Sequence, residues 1–595
     1  MLPPMMKRKT IPLLSKVLAV TAVALGGQSA GDTPSDASGG ALTFKARALE
    51  QLVARVPGIL KTYDAKTGRF GSGLFVVGDQ NHLFPLAVAY ATASPRNRYH
   101  RDKKLLEVIM KGGEALIEVQ DPEGRWRFDK KDGSYWGQIY MPWTYSRWIR
   151  AYSLIKADMP AERRARWVEA LQKGFAGISA SGLNRVHNIP THHAMALYLA
   201  GHELGRPEWR QQAADFLQKV VAAQKEGGYW SENAGPVVKY DFVYTDALGI
   251  YCAASGDARV LPAIRKSAEF HRRFTYPDGS DVETIDERNP YHAGISEGAG
   301  TVGFTMVPEG RAYLAALWKF NRGELAPDAA AAFVLFGQEG ECAPAPAAGT
   351  FTLVESGEPR ALTLTEGGWC AVVSAYTAEL PNSRWIQDRQ NLLSVWRQGP
   401  GLIAGGGNTK LQPGWSTFTV GDVSLLRHAP GDENPNFKPR AGLHHVPSTA
   451  RLSPGSAPEL ALRYGPATAT LRVRVASELR LEIDYAASGA GSLPVCAHLP
   501  LLPQLGAELA TAGGFRAALG EEPIGLEATK LDGRLTYRGI HYRLPAGTTL
   551  HWPALPHNPY RKDGRASASE GRIELRIPLA ADGTVSTVVI EVESR

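Results

Sequence analysis

Cysteine is scarce in this chain: only Cys252, Cys342, Cys370 and Cys496 occur, far apart and with no CxxC pair. Neither a zinc ribbon nor a disulfide framework is supported, although one or two disulfides in an oxidising compartment stay open. Beyond the N-terminus no apolar run reaches the roughly 20 residues of a membrane-spanning helix, so no stable membrane insertion is expected of a mature chain. A strong excess of one charge is missing too. The formal charge is +7, and residues 1–30 hold Lys7, Arg8, Lys9 and Lys16 but no acid, which leaves only +3 on the remainder. That balance does not suit nucleic acid, whereas local positive charge facing an anionic ligand is compatible with it. With 44% hydrophobic and 21% charged residues, wholesale disorder is excluded.

What is present begins with Lys7-Arg8-Lys9, the apolar stretch from Ile11 to Gly27 and the small residues Ser29-Ala30. This is the order of a secretory signal. Residues 1–30 read as a signal peptide, which predicts a periplasmic or secreted protein, and 31–41 (GDTPSDASGGA) as a flexible leader. The 595 residues exceed what one core organises, so at least two domains are expected. From 42 to 325 apolar residues recur at helical spacing, as in Leu105/Ile109/Leu116 and Trp148/Tyr152/Ile155, with breaks rich in Gly, Pro, Asp or Asn. About ten to twelve such helices joined by short breaks predict a ring or solenoid of helical hairpins. Residues 326–350, with CAPAPAAGT, read as a linker. From 351 to 595 short β-favouring runs replace the helical period. The alternation in ATLRVRVA (469–476) and LRLEIDYA (479–486) is that of sheet with one buried face, so an antiparallel β-sandwich is predicted. The expected class is α+β multidomain.

Four segments of the helical half concentrate polar and aromatic residues where helices start or end. VHNIPTHHAMALYLA sets Asn188, His192 and His193 at a helix start, where free N–H groups favour anions. Asn81 and His82 open another helix. GGYWSENAGPVVKYDFVYTDAL supplies Trp230, Glu232, Lys239, Tyr240 and Tyr244, and lies about two helical hairpins after Asn188, so that both can face one cavity. YPDGSDVETIDERNPYHAGISEG supplies Arg288, Tyr291 and His292 and reads as a site wall or a solvated turn. DGSYWGQIYMPWTYSRW supplies Trp136, Gln138, Tyr140 and Trp143, as core packing or as cleft-rim aromatics that stack on sugar rings. Gly405 to Asn408 is glycine-rich but lacks the Lys-Ser/Thr and helix of a phosphate loop, so it reads as a tight turn between strands.

The sequence resembles the polysaccharide lyases built from an (α/α) toroid and antiparallel β-sheets, of the heparinase II/III, alginate and chondroitin lyase type. The likeness rests on Asn188, His192 and His193, then Glu232, Pro236 and Tyr240, then Arg288. It implies cleavage of a uronic-acid-containing polysaccharide by β-elimination, with an acidic polysaccharide or oligosaccharide as partner and no cofactor or metal. Such chemistry needs the uronate carboxylate neutralised, a task that suits Asn188, His192 and Arg288. It also needs a base and an acid, and Tyr240 beside Lys239 serves both if cations lower its pKa, with His193 as alternative base and Tyr291 as the second tyrosine. In these lyases the sheet domain closes one side of the cleft, which would bring Arg389, Asn391 or His445 to substrate. Two alternatives stand beside this reading. One is a glycoside hydrolase using two of Glu232, Asp241, Asp246, Glu283, Asp286 and Glu287; the other is a glycan-binding protein without turnover. No oligomeric state is legible.

Overall fold

A computed structural model describes residues 40–593 apart from 131–132, 290–291, 293, 347–348, 428, 430–431 and 433–434. Residues 1–30, expected as a signal peptide, the expected leader through residue 39 and Tyr291 lie outside the described residues. Packing divides the chain into two units. One comprises residues up to 223, Phe242–Ala268 and Glu297–Ala345, and the other comprises Gln224–Asp241, Glu269–Ser296 and the chain from Pro346 onward.

In the first unit, helix starts follow local chemistry. Asp102 caps the helix Lys103–Glu118 by accepting from the N–H groups of Lys104 and Leu105. Pro142, Pro207, Pro308 and Pro327 each sit in a first turn, where a missing N–H costs nothing. Lys103–Glu118 buries one stripe, including Leu105, Ile109 and Leu116, whereas Leu83–Ala91 is buried on almost every side and is an inner helix. Leu83–Ala91 packs on Lys103–Glu118 and on Pro142–Ile155; Pro142–Ile155 packs on Asn188–Glu203, which packs on Pro207–Ala222. The series closes because Pro327–Phe336 returns to Lys45–Lys61 and Leu83–Ala91, and the strand Ala41–Leu42 pairs with Gly340–Glu341. These are the helical hairpins of an (α/α) toroid. Two boundaries are corrected here: 326–350 is no linker throughout, since its alanine run forms a helix that buries Ala330, Ala331 and Phe333, and the leader ends in a strand. Trp126, Tyr145, Trp148 and Trp167 form a connected aromatic core. Gly174 lies so close to it that a Cβ there would stand 1.8 Å from the Tyr145 hydroxyl oxygen.

The second unit is built on antiparallel sheets of eleven and nine strands among the described residues, enclosing a core that includes Val373, Val395, Phe418, Leu471, Ile483 and Leu575. Leu471 and Val473 of the strand Ala467–Ser477 pair with Tyr485 and Ile483 of Arg480–Ser488, all buried, so the alternation seen in the sequence is a one-sided sheet. The segments Gln224–Asp241 and Glu269–Ser296, assigned from sequence to the helical half, belong with these sheets. Hydrogen bonds explain why. For Glu269–Ser296, Arg389 Nη1 donates to Ile285 O at 2.8 Å, Gln387 N to Glu287 O at 2.8 Å, Asn408 Nδ2 to Asp286 O at 3.1 Å and Tyr276 OH to Ser394 Oγ at 2.6 Å. For Gln224–Asp241, Arg389 Nη2 donates to Pro236 O at 3.4 Å and Tyr229 OH to Glu355 Oε2 at 3.1 Å.

Burial corrects three expectations about the β half. Arg389 is only 2% exposed and is spent on backbone carbonyls and Glu287; Asn391 is buried and donates to Gly407 O; His445 is buried 3.0 Å from Asp388 Oδ2. None of the three is presented to solvent. The glycine run is not a tight turn either. Gly405, Gly406 and Gly407 have φ of +95, +92 and +103°, and a Cβ on Gly405 would lie 2.7 Å from the Ser394 Cβ, so the run is a close-approach track that Arg572 clasps through the Gly405 carbonyl at 2.9 Å. All four cysteines are free. Among the described residues no helix is long and apolar enough to cross a membrane.

Candidate active site

Tyr240 stands in the first turn of the helix Val238–Ser255, and Arg288 in the loop after the short helix Glu283–Ile285. Arg288 Nη2 donates to the Tyr240 hydroxyl at 3.0 Å, with its guanidinium 5.1 Å from the ring centroid. One buried carboxylate sets this pairing. Asp286 Oδ2 accepts from Val238 N at 2.7 Å, and its Oδ1 accepts from Arg288 N and Asn289 N at 2.6 and 2.8 Å. It thus ties the start of the tyrosine's helix to the arginine's loop. Next to it, Glu287 accepts from Asn233 Nδ2 at 3.0 Å and Ala234 N at 3.1 Å, and lies 3.6 Å from Arg389 Nη2.

Burial raises the Tyr240 pKa above the ordinary phenol value; Arg288 opposes this, while the fields of Tyr560, Glu232 and Asp286 add to it. The expectation that cations lower the tyrosine's pKa is therefore corrected: desolvation outweighs the guanidinium. Removing Arg288 removes the one large opposing influence, so Arg288→Ala should move the Tyr240 titration further into the alkaline range. An ultraviolet difference titration, with a Tyr240→Phe chain subtracted, checks this, and an unmoved or acid-shifted curve contradicts it.

His292, on the same loop, is half-buried with Nδ1 3.4 Å from Oε2 of the fully buried Glu283. Burial alone would lower its pKa, but the hydrogen bond and charge of Glu283 outweigh burial and raise it. Lys239 and Glu232 are half-buried in the same unit. Trp230 and Tyr244 are corrected to core residues, 2% and 1% exposed, and the Trp230 backbone N–H donates to Asp241 Oδ1 at 2.7 Å.

In the first unit the two histidines are core residues as well, which corrects their reading as neutraliser and base. His192 lies under Trp143, ring centroids 4.6 Å apart, with Nε2 2.8 Å from Ser146 Oγ, and burial holds it well below the usual imidazole range, Arg147 and Arg150 adding to the effect. His193 donates from Nε2 to Tyr140 O at 2.8 Å, and burial pushes it down to about 4 despite that bond. A neutral imidazole cannot cancel a carboxylate charge. Asn188 is buried at the first position of its helix. Asn81 accepts at 3.2 Å from Thr144 Oγ1. His82 packs edge-on to Phe70, and its pKa is lowered by burial against the opposing Asp79 and Asp328. Tyr140 is half-buried over Gly177. Trp136 and Gln138 are exposed on the hairpin of Trp126–Asp129 and Tyr135–Ile139.

One pair went unread in the sequence. Tyr560 is 52% exposed, its ring centroid 6.1 Å from that of Trp385, and its field reaches Tyr240. No periodicity links the segment HNPYRKDG (557–564) to Tyr240, so much earlier in the chain.

No family model and no curated protein matches this sequence. Solved structures do. A Paenibacillus xanthan lyase aligns at TM-score 0.58 and 10% identity over 93% of this chain and 57% of its own. The Streptomyces coelicolor A3 chondroitin AC lyase in complex with chondroitin sulphate aligns at 0.53 and 13% over 98% and 82%. A heparinase III aligns at 0.54 and 12% over 95% and 87%. The chain has the fold of the polysaccharide lyases. It spans little more than half the length of the xanthan lyase, and at these identities the lyase fold is what the likeness carries.

Proposed function

We propose that this protein is an exported polysaccharide lyase that cleaves a uronic-acid-containing polysaccharide by β-elimination. The observation that carries the proposal is the Tyr240–Arg288 pair, 3.0 Å apart and held from both sides by Asp286. The lyase fold supports it. Arg288 is the cation that meets the uronate carboxylate, so that charge developing on removal of the neighbouring C–H proton is stabilised. The Tyr240 phenolate takes that proton, the C–O bond to the leaving sugar breaks as a carbon–carbon double bond forms, and the resulting phenol returns a proton to the leaving oxygen. Atoms balance without water, and the product carries an unsaturated end. A hydrolase reading finds less support, because five of its six candidate acids, Asp241, Asp246, Glu283, Asp286 and Glu287, are held by neighbouring groups, and half-buried Glu232 is a single acid where two are needed.

The test is a panel of alginate, glucuronan, ulvan, hyaluronan and heparan followed by ultraviolet absorbance. At least one should yield absorbing products; saturated fragments from any of them would point to hydrolysis and sink the proposal. Export rests on the basic, apolar and small-residue order of residues 1–30. N-terminal sequencing of protein recovered outside the cytoplasm should begin near Gly31.

A further inference from the structure

We infer that Trp385 and Tyr560 form a sugar-stacking subsite, flanked by cations, that holds a pyranose ring of an anionic glycan next to Tyr240. The inference rests on the lyase reading for the neighbouring chemistry but not for binding itself. Three observations carry it.

The first is exposure. Large aromatics in this unit are mostly buried, yet Tyr560 is 52% exposed and Trp385 half-buried, with their rings tilted at 59°. An exposed aromatic pair offers apolar faces that match the C–H face of a pyranose. The second is rigidity. Tyr560 stands on a loop whose ends meet, since Asn558 N donates to Gly564 O at 2.9 Å. The base of the loop is pinned by His557 N on Thr409 Oγ1 at 3.1 Å and by Asn558 Nδ2 on Glu570 Oε1 at 2.9 Å. Gly564, at φ +68°, lets the loop close over the buried His557, where a Cβ would stand 2.3 Å from the imidazole. Arg384 Nη2 bonds the Arg561 carbonyl, and its guanidinium lies 5.4 Å from the Trp385 ring, so the two aromatics are clamped together. A platform this fixed loses little entropy on binding.

The third is charge and place. Arg384 lies against the Trp385 ring and exposed Arg561 follows Tyr560 in the chain, which puts cations beside the pair and suits a carboxylate or sulfate on the stacked sugar or its neighbour. Trp385 stands two residues before Gln387, whose N–H donates to the Glu287 carbonyl at 2.8 Å, and Glu287 precedes Arg288, which donates to the Tyr240 hydroxyl, so a ring on the platform lies beside the Tyr240–Arg288 pair.

The experiment separates this subsite from the chemistry. With the full-length Tyr240→Phe chain, calorimetric titration of a polysaccharide that the panel shows to be cut, or of sulfated and carboxylated oligosaccharides if none is cut, should give saturable binding that quenches tryptophan fluorescence. Adding Tyr560→Ala should weaken that binding by about tenfold, and Tyr560→Phe should restore most of it. In the active chain Tyr560→Ala should raise KM by a similar factor, with kcat no lower than in the wild type. Equal affinity with and without Tyr560, or a fall in kcat at unchanged KM, overturns the subsite. If no polysaccharide yields unsaturated product and the Tyr560-dependent binding persists, the lyase reading fails and the subsite stands. Tyr560 is exposed, so an unchanged melting temperature is expected and certifies the fold of the variants.

Discussion

Tyr240→Phe should lower kcat by about a thousandfold on whichever polysaccharide is cut, with little change in thermal stability. In the proposed elimination the hydroxyl takes and returns the proton, and its removal leaves the ring in place against Arg288. KM should move little, because the lost interaction acts on the transferring proton instead of on the bound polymer. Within the active wild type, kcat/KM should rise with pH across the alkaline range, since burial holds Tyr240 as a phenol at neutral pH and only the phenolate can act as base. Full activity in Tyr240→Phe would remove the tyrosine from the mechanism.

The second large effect is expected at Asp286, which touches no substrate. Asp286→Ala leaves three backbone N–H groups, of Val238, Arg288 and Asn289, without their buried acceptor. Buried donors left unsatisfied cost about 1–3 kcal/mol each, partly recovered by relaxation, so about 3 kcal/mol of stability should be lost in urea unfolding followed on the full chain. Activity should fall by about a hundredfold in addition, because Tyr240 and Arg288 are no longer held in register. Asp286→Asn should lie between, keeping one acceptor while turning an amide NH2 toward a donor. Wild-type stability together with reduced kcat would mean that Asp286 positions without supporting the fold; wild-type values of both would remove it from either role.

How far the sequence foretold this molecule depended on whether the deciding interaction was local. The one-sided alternation of 469–476 and 479–486 became paired strands because side-chain direction in a strand is a local property. The helical hairpins were legible for the same reason. The unit to which Tyr240 and Arg288 belong was not. It is decided by Arg389, Gln387 and Asn408 reaching residues 285–287 from a hundred or more positions away. The histidines illustrate a further blind spot. A motif at a helix start shows that His192 and His193 are near a cluster of free N–H groups, but not which way each ring turns, and here one meets Ser146 and the other Tyr140 O. Tyr560 was invisible because its role comes from exposure and from the field it exerts on Tyr240, neither of which has a sequence period.

The hydrogen bonds that draw Gln224–Asp241 and Glu269–Ser296 into the sandwich bear on how this gene can be engineered. A clone ending near residue 345 would encode every helix up to Pro327–Phe336, yet the loop with Arg288 would lack Arg389, Asn408 and Gln387, its anchors. Such a truncation would lack the scaffold of the Tyr240–Arg288 pair, and exchanging the C-terminal half for that of another protein would replace the scaffold of the Arg288 loop along with it. The functional cut in this chain does not follow the line where helix gives way to strand.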